Sequence, residues 1–210
     1  MYVFSHKASI KILTNGKILP SLGCSLELLD VVCQIVEVVL DRDDPHFRSD
    51  QHLAAIRTLE LRLERLEQRV SAVTEDVDCD TRATKKLAEL FRLAAYIYLE
   101  RLAKGSESQE TKVRCLLDDA FGLLRELKVC ERPWPLFIIA LEARTDEERV
   151  LILSVLEQSL IQRPMGNLTI TQRLIHAAWI QQDLHATSAI DPLLVYNTVV
   201  SGNRVPPSFT

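Results

Sequence analysis

Residues 130–149 read CERPWPLFIIALEARTDEER, and the punctuation of this stretch decides how the rest of the chain is parsed. Pro133 biases Arg132 away from helix, so the chain turns before Trp134. Pro135 suits a first helical position, because its missing N–H has no intrahelical partner there. The apolar helix that follows, PLFIIALEA, is short, and Thr145 opens another. Thr145 and Glu148 form a Thr-x-x-Glu capping box, with Asp146 and Glu147 beside the positive end of the helix dipole. The stretch predicts two successive helices with Trp134 at the corner, an arrangement that no catalytic scheme requires.

Working outward, leucine recurs at steps of three and four and only six glycines occur, so helix is the default. Residues 109–128 carry Val113, Leu116, Leu117, Ala120, Phe121, Leu124 and Leu127 on one face. Before them a helix over 82–103 has the core LAELFRLAAYIYLERL, with Gly105 where a C-terminal cap is expected. An acidic loop, EDVDCDT, precedes that helix. Residues 49–77 place apolar side chains at Ile56, Leu59, Leu63, Leu66, Val70, Val73 and Val77, which is a heptad seam. The seam reads as a coiled-coil dimer interface or as an amphipathic helix packed within its own chain. Leu53 and Leu61 widen the stripe and favour the second reading. The first helix is capped by Ser25, ends before Pro45, and carries Leu26, Leu29, Val32, Cys33, Val36, Val39 and Leu40 as its apolar stripe.

Downstream, Thr169 and Gln172 repeat the capping-box pattern ahead of ITQRLIHAAWIQQDLHA. The tail after Asp191 holds Pro192, Pro206 and Pro207 and is expected to fray. At the other end, IKILTNGKIL sets Asn15–Gly16 between two alternating runs, a signal for a short N-terminal hairpin. The expected organisation is an N-terminal extension at 1–20, a helical regulatory domain at 21–190 and a flexible C-terminal tail at 191–210. The fold class is all-α, an irregular domain of about six to seven helices.

A chain of 210 residues can bury about 70% of its unfolded surface. Its composition, 47% hydrophobic and 26% charged, is that of a globular protein and argues against disorder throughout. The net charge of −4 removes any general attraction to nucleic acid. Five widely spaced cysteines, Cys24, Cys33, Cys79, Cys115 and Cys130, with no CxxC, point to reduced thiols in an intracellular, soluble protein. Neither a signal peptide nor a membrane span is legible, so no membrane role is expected.

The chemistry-bearing residues give no site. Asp76, Asp78 and Asp80 alternate like a calcium loop, but Thr81 replaces its glycine and Leu87 its closing glutamate. His6, His46, His52, His176 and His185 have no zinc spacing. P-loop, GxGxxG and GxSxG motifs are missing, so the expectation is no enzyme, no metal and no cofactor. Trp134, Tyr96, Tyr98 and Trp179 remain as candidates: they line an inter-helix pocket or fill the core, and a buried Trp is more often core.

Four segments together carry a resemblance. LPSLGCSLELLDVVCQIVEVV, LAELFRLAAYIYLERL, RPWPLFIIALEARTDEER and LIHAAWIQQDL occur in this order from Leu19 to Asp183. They resemble the fungal-specific transcription factor domain, the helical region that follows the zinc-cluster module in many fungal regulators. The resemblance implies a nuclear regulatory protein with an all-helical fold whose domain modulates activation, dimer state or effector response. The zinc cluster's six spaced cysteines are not matched here, and Cys24 and Cys33 read as small core residues. Specific DNA binding by this chain alone is therefore not expected. The chain reads as a fragment, an internally started frame or a stand-alone paralogue.

The function expected is a non-catalytic regulatory domain acting through protein partners, self-association or a small-molecule effector. The alternative is a stand-alone helical domain that binds, or acts on, an apolar small molecule between its helices.

Overall fold

The structure, a computed structural model, describes residues 16–19, 21–39, 44–70, 78–104, 109–184 and 195–196. A two-stranded hairpin comes first: β1 (Ile18–Leu19) pairs antiparallel with β2 (Cys24–Ser25), Ile18 opposite Ser25 and Leu19 opposite Cys24. The hairpin therefore lies one turn downstream of Asn15–Gly16. The run Ile10–Leu13, expected as its first strand, falls outside the described residues. Gly16 instead makes a close approach to the loop after the second helix, accepting from Arg69 N at 2.8 Å. Its φ is +63°, and a Cβ there would stand 2.2 Å from the Glu67 carbonyl oxygen. Only glycine meets both demands.

Seven helices follow among the described residues: α1 (Leu26–Val38), α2 (Asp50–Arg65), α3 (Asp78–Tyr98), α4 (Glu110–Leu127), α5 (Pro133–Ala140), α6 (Asp146–Gln162) and α7 (Gly166–Leu184). α3 continues into a π-helical turn at Leu99–Ala103. The all-α expectation holds, with the short hairpin at its start. Ser25 caps α1, its side chain accepting from Leu28 N. Ser49 caps α2 in the same way, accepting from His52 N. His52 then ties α1 to α2. Its Nδ1 accepts from Arg48 N at 3.1 Å, which leaves Nε2 to donate to Val38 O at 2.9 Å, a carbonyl left open at the end of α1.

α3 is the centre, packed by α1, α2, α4, α5 and both strands. Its run Leu93–Leu99 is buried on every side because neighbours surround it. α4 buries Val113, Leu117, Ala120, Phe121 and Leu124, the face its periodicity predicts, and Lys128 closes it in the left-handed conformation. Gly105, expected as the cap of the preceding helix, lies outside the described residues.

Several expectations need correction. The helix read over 49–77 ends at Arg65, where Leu66 turns extended. The chain then pairs with the N-terminal segment, since Ile18 N donates to Arg69 O at 2.8 Å. Backbone demand at the hairpin outcompetes continued helix. The buried face of α1 is Leu28, Val31 and Ile35, whereas Cys33 is exposed and Val36 is 53% exposed. Both faces of α1 are apolar, and contact with α2 and α3 selects one of them. The helix after the corner starts at Pro133 rather than Pro135, and α7 starts at Gly166, ahead of the expected cap at Thr169.

Candidate functional site

The corner at Arg132 is built as the two prolines require. Arg132 is extended, with φ −105° and ψ 106°, and Pro133 takes the first helical position. Pro135 falls at the third, where an N–H would also lack an intrahelical partner, so neither ring costs a hydrogen bond. All eight residues of α5 are buried. Trp134 stacks on Phe91 with centroids 6.0 Å apart, and Tyr98 meets its edge at 5.9 Å. Tyr196 closes the cluster against Tyr98 and Phe137, at 5.7 and 5.9 Å. Burial, with a smaller contribution from Tyr196, pushes the Tyr98 hydroxyl far above its ordinary titration range. It stays protonated and neutral, as an apolar setting favours.

The C-terminal carbonyls of α5 are satisfied by α7. Trp179 Nε1 donates to Ala140 O at 2.8 Å, and Gln182 Nε2 to Leu141 O at 2.7 Å. Arg149 of α6 lies over the Trp179 ring at 5.2 Å and grips Asp183 in a bidentate pair at 2.8 and 2.9 Å. The acidic cluster after α5 is thus a joint: the Thr145–Glu148 capping box forms, and Arg149 reaches across to α7.

The four aromatic candidates do not share one site. Tyr98 and Trp134 touch; Trp179 stands at the far end of α5, and its other ring neighbour is the exposed His176. Tyr96 is two residues from Tyr98, about 200° around the helix, and faces the other way. It donates to Glu64 at 2.9 Å and lies under Lys112, whose Nζ is 4.5 Å from the ring centroid. Burial, partly offset by Lys112, raises its hydroxyl to about 12. Of the seam residues, Ile56, Leu59, Leu63 and Leu66 are buried in the chain's own core. Val70 is half-buried, and Val73 and Val77 lie outside the described residues.

A site that sequence reading missed lies beside Tyr96. The π-helical turn carries Glu100 wholly buried, its Oε1 accepting from Lys104 at 2.8 Å and paired with Lys112 at 3.2 Å. Glu60 of α2 binds the same two lysines, Lys104 at 3.1 Å and Lys112 at closer range. Glu100 Oε2 is buried with no hydrogen-bond partner among the described residues. On the opposite side of the turn, Arg101 reaches Glu110 at 2.8 Å and the buried Glu142 at 3.0 Å. Arg144 joins Glu110 at 2.9 Å, and Arg114 binds Glu148. Three separate clusters of ion pairs among the described residues thus tie α2 to the π turn and α4, the π turn to α4 and the α5–α6 joint, and α4 to α6.

Burial opposes the charge on Glu60, Lys112 and Glu142, and the balance between burial and partner differs among them. Burial alone would raise Glu60, but hydrogen bonds from Lys112 and Lys104 outweigh it and hold the carboxyl below its usual value. Burial likewise works against charged Lys112, yet Glu60, Tyr96 and Glu100 push its titration above the ordinary lysine range. At Glu142 burial wins, and the carboxyl is raised despite Arg101. These carboxylates face cations of their own chain, so the arrangement fixes helix positions. The sequence signal was a glutamate inside the apolar run AAYIYLERLA, one helical turn after Tyr96 and therefore on a buried face.

Among the described residues no three His, Cys, Asp or Glu side chains stand together to hold a metal ion. Cys24 and Cys130 are free and buried, and burial raises their thiols to about 11; Cys33 and Cys115 are free and exposed. None of the described helices is long and apolar enough to cross a membrane.

Fold and interior define a helical domain whose buried charges are matched within itself. The family profile of the fungal specific transcription factor domain matches residues 3–193, and the chain belongs to that family. It is also similar to the transcription factor iacI of Pestalotiopsis fici, with 28% identity over 123 residues. That match covers 59% of this chain and 32% of the relative, so the chain spans about a third of the relative's length. No solved structure gives a significant match.

Proposed function

We propose that this chain is a non-catalytic regulatory domain of a fungal transcription factor, acting in the nucleus through protein contacts or effector response. The observation that carries the reading is the family match over 3–193, nearly the whole chain. The chemistry of the interior supports it. The buried Glu100 and the half-buried Glu60, Lys104 and Lys112 are engaged with one another, and the chain's net charge of −4 disfavours DNA contact. Regulation then runs through surfaces, with DNA recognition carried elsewhere.

The test joins the chain to a heterologous DNA-binding module in a fungal reporter strain. Output is expected to differ from that of the module alone, in either direction. The purified chain is expected to give no sequence-specific mobility shift. Unchanged reporter output, or a specific shift by the chain alone, counts against this function.

A further inference from the structure

The α6–α7 pair is apolar on both sides. Its inner side joins the core through Ile152, Leu156, Leu174 and Ile175. Its outer side carries four of the large apolar residues that the fold leaves in water: Val150 at 63%, Ile161 at 68%, Ile180 at 59% and Leu184 at 72% exposure. These fall on one face. Arg149, near the start of α6, meets Asp183, near the end of α7, so the helices run antiparallel and this ion pair marks their seam. At about 100° per residue, Val150 and Leu184 each stand one step to the same side of that seam. Ile161 and Ile180 repeat the position further along. Glu157 and Arg173 lie on the same face at similar heights, both exposed, and neither is in an ion pair among the described residues.

We propose that this face is a self-association surface, on which a second copy of the chain docks its own α6–α7 pair. Opposite charges left open on one apolar patch are what a two-fold, self-complementary interface requires. They also choose the axis. A two-fold parallel to the helices lays α6 over α7 of the partner subunit and sets Glu157 against Arg173 of the partner subunit, twice. A two-fold across the helices would oppose glutamate to glutamate. The product is an antiparallel four-helix layer with hydrophobic ends and ionic centre. The described residues beyond α7 do not cover the patch, because Val195 is buried and Tyr196 packs on Tyr98 and Phe137. Two helices about 25 Å long and about 10 Å apart offer roughly 500 Å² per copy, which fits a weak, reversible dimer.

Sedimentation of the purified 210-residue chain over a concentration series tests this. A reversible monomer–dimer equilibrium is expected, weakened by salt. Glu157→Arg and Arg173→Glu should each weaken it at least tenfold, with helical circular dichroism unchanged. Mixing the two variants should restore dimer, because each then supplies the charge the other needs. Ile180→Asp should abolish association by its apolar route. A chain monomeric at its highest soluble concentration overturns the proposal. So does a dimer indifferent to these substitutions, or a mixture that does not recover. The reporter outcome above bears on none of these results.

Discussion

Glu100 of the π-helical turn and Lys112 of α4 are paired at 3.2 Å inside the protein, with the glutamate wholly buried. A π turn places one more residue in the ring than an α turn, and here the Lys104 N–H bonds Leu99 O at 3.3 Å. The widened turn brings Glu100 to Lys112 of α4 and Lys104 to Glu60 of α2. Secondary-structure irregularity and ion network are one feature.

Glu100→Gln should destabilise the fold by about 2 kcal/mol, because Lys104 and Lys112 lose a buried charged partner while keeping Glu60. Lys112→Met should cost less, since that side chain is 29% exposed. Urea unfolding followed by circular dichroism gives both values. Equal and small losses would mean that the network contributes little.

Acid should unfold the protein for a stated reason. Burial would raise Glu60 and Glu148, but lysine and arginine hydrogen bonds hold both below 4.5. Their stabilisation is complete above 4.5 and is lost as pH falls through the lower folded values. Glu142 has the opposite sign: its raised folded value makes stability fall as pH rises through the window just above 4.5. Glu142→Gln should leave the acid limb in place and remove that second slope. Urea midpoints from pH 3 to 7 (on the order of one measurement per half unit) separate the two.

Thr145→Ala should cost about 1 kcal/mol, since it removes the acceptor for Glu148 N. Thr169→Ala should cost nothing measurable, because Thr169 lies inside α7 with its N–H already directed to Met165 O. Equal losses for the two would restore the capping role that sequence pattern alone assigns to Thr169.

Trp134→Ala should destabilise by about 4 kcal/mol, the usual cost of emptying a buried indole site. Trp134→Phe should cost about half as much, because stacking on Phe91 survives in part. Thermal unfolding of both variants checks the order.

What the sequence by itself determined was local. Ser25, Thr145 and the two prolines act through atoms within a few residues, so the start of α1, the joint at α6 and the corner at Arg132 were legible. α4 was legible too, because Val113, Leu117, Phe121 and Leu124 make a single apolar face with a polar back. Tertiary structure decided the rest. α1 is apolar on two faces, and only contact with its neighbours put Leu28, Val31 and Ile35 inside and left Cys33 in water. Pairing of Ile18 with Arg69 ended α2 against its own periodicity. The aromatic candidates parted for the same reason, Tyr98 meeting Trp134 while Tyr96 turned to Glu64 and Lys112. Caps and turns are set by near neighbours, which sequence spacing encodes directly. The choice of face, and the matching of buried charges from separate helices, depends on partners that only the folded chain brings together.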